Sequence, residues 1–506
     1  VQRPLALALA ALALVGCRSP APAPPSDPTL TLAVRADITG LYPNPPVVNE
    51  AYTLHTNANV LEGLVRFDSQ LRLIPALAER WENPDQRTYV FHLRRGLRFS
   101  DGRPLVARDV AASLTAAKTR RWPVHDYLHA IESVTAPDDE RVVIRTRFPY
   151  QILLTKLQWA FVLPAEAVAQ RVVPVVGSGP YTVATWTPGR ELRLSRNPYY
   201  RGPLPAFGKA RLVVVPDEKE RLAMLLRGEA DIATDVALDA VEALQRRSDV
   251  RVVRRGSLRV LYLNLRPDTK PFGDPRVREA IDLALDRKQL IDRALAGFTE
   301  AATQIVHPSV VGYNPALRVT QVDRARAREL LAEAGIAPGT EIRLDGPNNR
   351  YVNDGKILAE VARQLAEVGL NVRVNALDKV EFFRLISSGA SGFHLLGWSC
   401  ESGEAGDVLD AAFHSPTAGF AESDNSLGLA DAELDRLIDQ SNASVAVGER
   451  TALLQKAIAR VASLHVALPL VLQAEAVAMK TSIRWDPPRN SALLLAEIWP
   501  AGAEIR

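Results

Sequence analysis

Residues 397–407 read GWSCESGEAGD, which brings a tryptophan, a thiol and three carboxylates into one short segment. Three chemistries fit those residue types. Cys400 could be a nucleophile with His394 or His414 as its base. Cys400, Glu401 and His414 could form the corner of a metal site. Or the segment could be the wall of a binding pocket. The neighbours weigh against the first two, because Glu401 and Glu404 disfavour a thiolate and the spacing matches no common ligand pattern. As a pocket wall the segment is coherent. The apolar run Phe393-His394-Leu395-Leu396 reads as a buried strand, and ending it in Gly397-Trp398 puts an aromatic face at the carboxyl edge of an α/β sheet, where ligands bind. An acid just beyond can meet a cationic group in a charge-assisted hydrogen bond. A packed tryptophan followed by a solvated acidic loop remains the plainer alternative. His125 and His129, at i and i+4, read as a surface pair, since no third ligand stands nearby. The chain carries no G-x-S-x-G elbow, Walker A loop, H-E-x-x-H or G-x-G-x-x-G.

The elements that must position such a site alternate between strand and helix. Thr29–Val34, Tyr89–Leu93, Val142–Thr146, Tyr181–Trp186, Glu191–Ser195 and Leu212–Val215 read as strands. Helical patterns span residues 51–64, 107–117 and 218–226. After the strand Leu261–Leu265 helices dominate (277–285, 287–296, 324–334, 356–368, 380–387), with strands at 342–344, 372–375 and 393–396 between them. The alternation predicts an α/β architecture. Gly177-Ser178-Gly179-Pro180 breaks the pattern and marks a crossing between domains.

Size and charge narrow the class. A chain of 506 residues is too long for one core and predicts two or three domains. With a formal net charge of +3, and acids and bases interleaved, there is no clustered basic surface for nucleic acid. At the N-terminus Arg3 precedes eleven apolar residues, Leu5–Val15. That run is too short to span a bilayer, for which roughly 20 are needed, and it reads as an export signal. Leu14-Val15-Gly16-Cys17 resembles a bacterial lipobox, in which Cys17 is lipidated, and Pro20–Pro25 follows as a semi-extended tether. With Cys17 so used, Cys400 has no disulfide partner.

Several blocks in order resemble the solute-binding proteins of ABC importers, in the family that binds oligopeptides, dipeptides and nickel. They are YVFHLRRGLRFSDGRPLVARDV at 89–110, GSGPY at 177–181, RNPYY at 196–200, Leu263-Asn264, DPRVREA at 274–280, Leu285-Asp286-Arg287, and LAEVGLNV at 365–372 followed by Gly397-Trp398. The resemblance covers nearly everything after the tether. It implies a two-lobed periplasmic-binding-protein fold of class II, cluster C type, with an extra domain in the first lobe. The corresponding division is 1–17 signal with lipobox, 18–28 tether, 29–60, 178–268 and 484–506 first lobe, 61–177 extra domain, and 269–483 second lobe. It further implies no catalysis and no cofactor or resident metal, with permease and ATPase subunits as partners. The protein would be a monomer held by lipid to a membrane, in the periplasm or at the cell surface.

In peptide-binding members an Asp after Gly-Trp pairs with the ligand's amine, and Glu401 stands at that position here. The acid is one methylene longer, and the usual downstream Asp-Pro is Ala405-Gly406. The resemblance also puts Arg350, followed by Tyr351, in the loop that supplies an arginine for the ligand carboxylate. Trp398, Ser399 and Cys400 complete the expected wall. The expected solute is a short peptide or similar zwitterion. Nickel-chelate, sugar or opine binding are the rivals within the fold, and an exported thiol hydrolase using Cys400 is the rival of a different class.

Overall fold

The computed structural model describes residues 28–44, 51–68, 72–170, 174–415, 427–490 and 492–503. Cys17 and the proline tether therefore lie outside the described residues. A ten-stranded mixed sheet runs through the molecule. Its spine is the antiparallel pair Val250–Leu265 and Ala467–Lys480. On one side Phe393–Ser399 pairs antiparallel with Val250–Leu265, and Glu341–Pro347 and Asn371–Leu377 add in parallel. On the other side lie the parallel strands Ile232–Ala233, Thr29–Val34 and Lys209–Val214. The hairpin Tyr181–Thr187 and Glu191–Arg196 closes that end. Inner strands are apolar runs, as in Phe393–Leu396, because helices or loops cover both faces.

Among the described residues six helices begin with an aspartate whose carboxylate accepts a first-turn N–H: Asp217, Asp274, Asp286, Asp323, Asp378 and Asp431. At the second of these Pro275 also fills the first helical position, where its missing N–H leaves no bond unmade. These caps explain why the helical stretches read from periodicity lie close to their observed bounds. The stretch at 51–64 is shorter than expected, ending at Asn57. Asn57 and Asn59 turn their side chains onto backbone carbonyls, so the helix is not continued.

A separate four-stranded antiparallel sheet, Ala78–Asp85, Thr88–Leu93, Arg141–Thr146 and Ile131–Thr135, packs under the helix Ala107–Thr119. One apolar cluster joins it to the ten-stranded sheet, since Phe91, Val110 and Ile144 share a core with Leu32 and Leu212. The chain crosses back beside Val60. A Cβ on Gly177 would stand 2.0 Å from the Val60 carbonyl oxygen, and one on Gly179 2.6 Å from its carbonyl carbon, so both positions demand glycine. The break in pattern at 177–180 thus has a steric cause. The histidine pair differs from its reading as a surface pair. His125 sits on a short 3-10 turn with its Nδ1 against the Trp122 carbonyl, while His129 packs on Phe148 and Tyr150. No helix among the described residues is long and apolar enough to cross a membrane.

Candidate functional site

Parallel strands on either side of the spine end toward a common seam. Arg35 follows Thr29–Val34, Arg350 and Tyr351 follow Glu341–Pro347, and Glu401 follows Phe393–Ser399. The two halves touch there. Arg35 donates to the Tyr351 carbonyl and, at 3.3 Å, to Asp354. Lys379 Nζ donates to the Asp37 carbonyl at 2.8 Å. His55 Nε2 and Glu401 Oε2 meet at 2.8 Å, both buried. The arrangement is a closed one.

The loop carrying Arg350 is set by the helix Asp354–Ala366, whose first carboxylate accepts from the backbone N–H groups of Arg350 and Tyr351 at 2.9 and 3.0 Å. The Arg350 guanidinium lies over the Tyr351 ring, 5.4 Å from its centroid. Tyr351 is itself buried and its hydroxyl accepts from the Gly397 N–H at 2.9 Å, so the phenol braces the wall.

Beside this wall the spine carries a bulge. Pairing jumps from Gly256–Ala474 to Val260–Leu472, so Ser257, Leu258 and Arg259 oppose Gln473 alone. Arg259 is also the register partner of Ser399. At this bulge and the adjoining end of Phe393–Ser399, four buried polar atoms lack a hydrogen-bond partner: Arg259 Nε, Gln473 Oε1, Ser399 Oγ and Glu401 Oε1. Buried polar groups are ordinarily paired, so such a concentration calls for a cause. Gly397 makes room for it. A Cβ there would lie 2.5 Å from Leu261, and 2.9 Å from both Arg259 Cδ and the Tyr351 ring.

Sequence reasoning placed Trp398, Ser399, Cys400 and Glu401 together, and the structure sorts them. Trp398 is half-buried against the apolar cluster containing Val260, Tyr262 and Cys400. The Cys400 thiol is 1% exposed, and burial together with Asp407 pushes it well above its ordinary range. His394 is held by Asn264 at 3.2 Å and burial pushes it down to about 3, while His414 is held by Asp439 at 3.2 Å. Missed were His55, Arg259, Gln473 and Glu475. Arg259 alone left a signal, being a charge at the head of the apolar run VLYLNL. The strand was read as starting at Leu261, two residues too late to include it.

A second polar cluster joins the extra sheet's domain to the far half. Asp410, on the π-helical turn Leu409–Phe413, accepts from Tyr150 Oη at 2.6 Å, from Lys156 Nζ, and from Asn442 at 3.1 Å. Burial would raise the Asp410 carboxyl, but Lys156 and these hydrogen bonds outweigh it and hold it well below the usual range. Its neighbour Asp407 goes the other way. Burial pushes that carboxyl up to about 7, with Lys156 opposing and Glu401 and Asp410 adding.

A carboxyl protonated more readily in the folded chain contributes stability that is complete below its unfolded value, roughly 3.9. That contribution is lost as pH rises through the folded value, about 7. Asp407→Asn mimics the protonated acid. It is expected to melt above the native chain at about pH 8 and to lose that advantage near about pH 4. Calorimetric melts at both pH values check this; an advantage that does not change with pH would mean that Asp407 titrates normally.

His55 and Trp159, rings 5.0 Å apart, also line a cavity of about 660 Å³ with Glu62, Arg66, Tyr200 and Trp485. All its walls come from residues 55–76, 158–203, 251 and 484–499, on one side of the seam. A solute confined there would not distinguish open from closed forms, so the seam is the better candidate for a site that drives closure. Among the described residues no group of three or more His, Cys, Asp or Glu could hold a metal ion.

The family model for bacterial extracellular solute-binding proteins, family 5 Middle, matches residues 72–420. The glutathione-binding protein GsiB of Escherichia coli (strain K12) is 29% identical over 405 residues, covering 76% of this chain and 78% of that protein. Among solved structures, the periplasmic binding protein DppA from Helicobacter pylori in complex with the peptide STSA superposes with TM-score 0.86 at 22% identity. It covers 94% of this chain and 98% of that one. AgaA from A. tumefaciens R10 in complex with agropinic acid superposes with TM-score 0.85 at 23% identity, covering 94% and 99%. NikA from Staphylococcus aureus in complex with Ni(L-His)2 gives TM-score 0.82 at 20% identity, covering 93% and 99%. These structural likenesses establish the two-lobed mixed α/β fold.

Proposed function

This chain belongs to the bacterial extracellular solute-binding proteins of family 5, and on that premise we propose that Glu401 and Arg350 hold the charged ends of a short peptide between its two lobes. The protein is the extracytoplasmic binding component of an ABC importer and delivers its solute to a membrane permease driven by separate ATPase subunits. The observation that carries the site assignment is Glu401. It is 5% exposed, one carboxylate oxygen is bound to His55 across the seam, and the other has no partner. A ligand ammonium supplies that partner as a charge-assisted donor. Arg350 offers the planar fork that suits a carboxylate, and Trp398 packs beside the ligand. Tyr351 braces the wall, and Ser399 and Cys400 continue it. In this reading the extra domain (61–177) moves with the first lobe, and 269–483 forms the second. Cys17 carries the lipid, the tether holds a monomeric body off the membrane, and no step requires catalysis. GsiB is a glutathione-binding protein, and DppA and AgaA were solved with the peptide STSA and with agropinic acid, which supports a small solute of this kind.

Native mass spectrometry of the purified body without its lipid tests the reading. A retained species with the mass of a short peptide is expected. A nickel chelate, a sugar or an opine in its place would reassign the solute, and covalent turnover products at Cys400 would replace binding by catalysis.

A further inference from the structure

We propose that Arg259 binds an acidic group of the solute, in addition to the carboxylate taken by Arg350, so that the preferred cargo carries one amine and two acidic groups. This rests on the seam being the solute site. Arg259 is 4% exposed, yet its contact with Glu475 is 3.8 Å long, beyond hydrogen-bond reach, and its Nε has no partner. The oxygen it approaches, Glu475 Oε1, already accepts from Gln473 Nε2 at 2.8 Å. A guanidinium has five N–H donors and loses its hydration on burial, so this one is underserved by the protein. The positive charge of Arg350 is close enough to add to burial in disfavouring the charged form of Arg259. Two converging guanidinium groups are stabilised by an anion between them. Opposite Arg259 in register, the unpartnered Ser399 hydroxyl can donate to a second oxygen of the same group. The Arg259 stem packs over Gly397, its Cδ 2.9 Å from where a Cβ would stand, so glycine there leaves room for the arginine beside the wall.

A purely structural arginine, closing the bulge through Glu475, is the competing role. The two differ in what neutralising Arg259 does to the empty protein. A structural pair loses melting temperature. An underserved buried charge, replaced by an apolar chain of similar length, leaves it unchanged or raises it.

The experiment is calorimetric titration with matched acid and amide pairs on two scaffolds. One pair is a γ-glutamyl tripeptide with two free carboxylates and its C-terminal amide. The other is an N-carboxyalkyl amino acid and its amide. The native protein is expected to prefer the acid by about tenfold or more in at least one pair. Arg259→Met and Arg259→Gln should reduce that preference to within about threefold. Melting of the ligand-free variants should not fall below that of the native protein. Acid preference confined to the non-peptide pair would overturn the peptide reading and leave the Arg259 assignment standing. The assignment is overturned if the native protein distinguishes neither pair, if the preference survives in both variants, or if the empty variants melt lower.

Discussion

Asp410→Ala is expected to weaken solute binding by about a hundredfold or more while leaving each lobe folded. The reason is where its partners come from. Lys156 and Tyr150 reach Asp410 from the extra domain across the closed seam, and only Asn442 comes from the same half. Lys156 is 4% exposed in this closed arrangement, so removing the carboxylate strands a buried ammonium. Breaking a buried pair from one side costs ~3–5 kcal/mol. That cost falls on the closed form, because opening returns Lys156 to water. Solute affinity is linked to closure, so the apparent dissociation constant rises with the same free energy. Calorimetric titration and small-angle scattering of the loaded variant check both halves of the argument. Scattering should report a more open particle at solute concentrations that close the native protein. Replacing both members of the pair, Lys156→Met with Asp410→Leu, should restore much of the lost affinity, since no charge is left unpaired. Native-like affinity in Asp410→Ala alone would show that the contact does not bear on closure.

Glu401→Gln is the second large effect, with an expected loss of about a hundredfold or more for a peptide with a free amine. The amide retains size and can still meet His55, so the seam contact is largely kept while the charge facing the ligand is removed. His55→Gln should be far milder, within about tenfold, because it leaves the Glu401 carboxylate in place. Blocking the ligand provides the cross-check. An N-acetylated peptide should bind the native protein weakly, and the Glu401→Gln variant should bind free and acetylated forms nearly alike. If the native protein held both forms equally, the ammonium would have another partner and Glu401 would be a seam residue only.

How legible all this was in the sequence depends on the range of the physical signal. Thr29–Val34 and the helix Glu218–Leu226 were read to the residue, because buried alternation and an Asp cap are written within a few positions. The break at 177–180 was legible because Gly177 and Gly179 stand where only glycine tolerates the backbone of Val60. The long spine strand was not. Val250–Leu265 contains Arg251, Arg254, Arg255, Gly256 and Arg259, which interrupt the apolar pattern, and pairing with Ala467–Lys480 overrides that local preference.

The sequence by itself thus determined the family, many of the strands and most of the Asp-capped helices, and it proposed the segment GWSCESGEAGD as one wall of a site. Within that wall it could name Glu401 but not its partner, since His55 lies 346 positions away. Tertiary structure alone decided that Cys400 packs inward, that Tyr351 braces Gly397, that Asp410 meets Tyr150 and Lys156, and that Arg259 lies beside Ser399. The physical reason is that periodicity and capping act along the chain. Which charges face one another across a seam is fixed by sheet register and by the closure of one half of the molecule on the other.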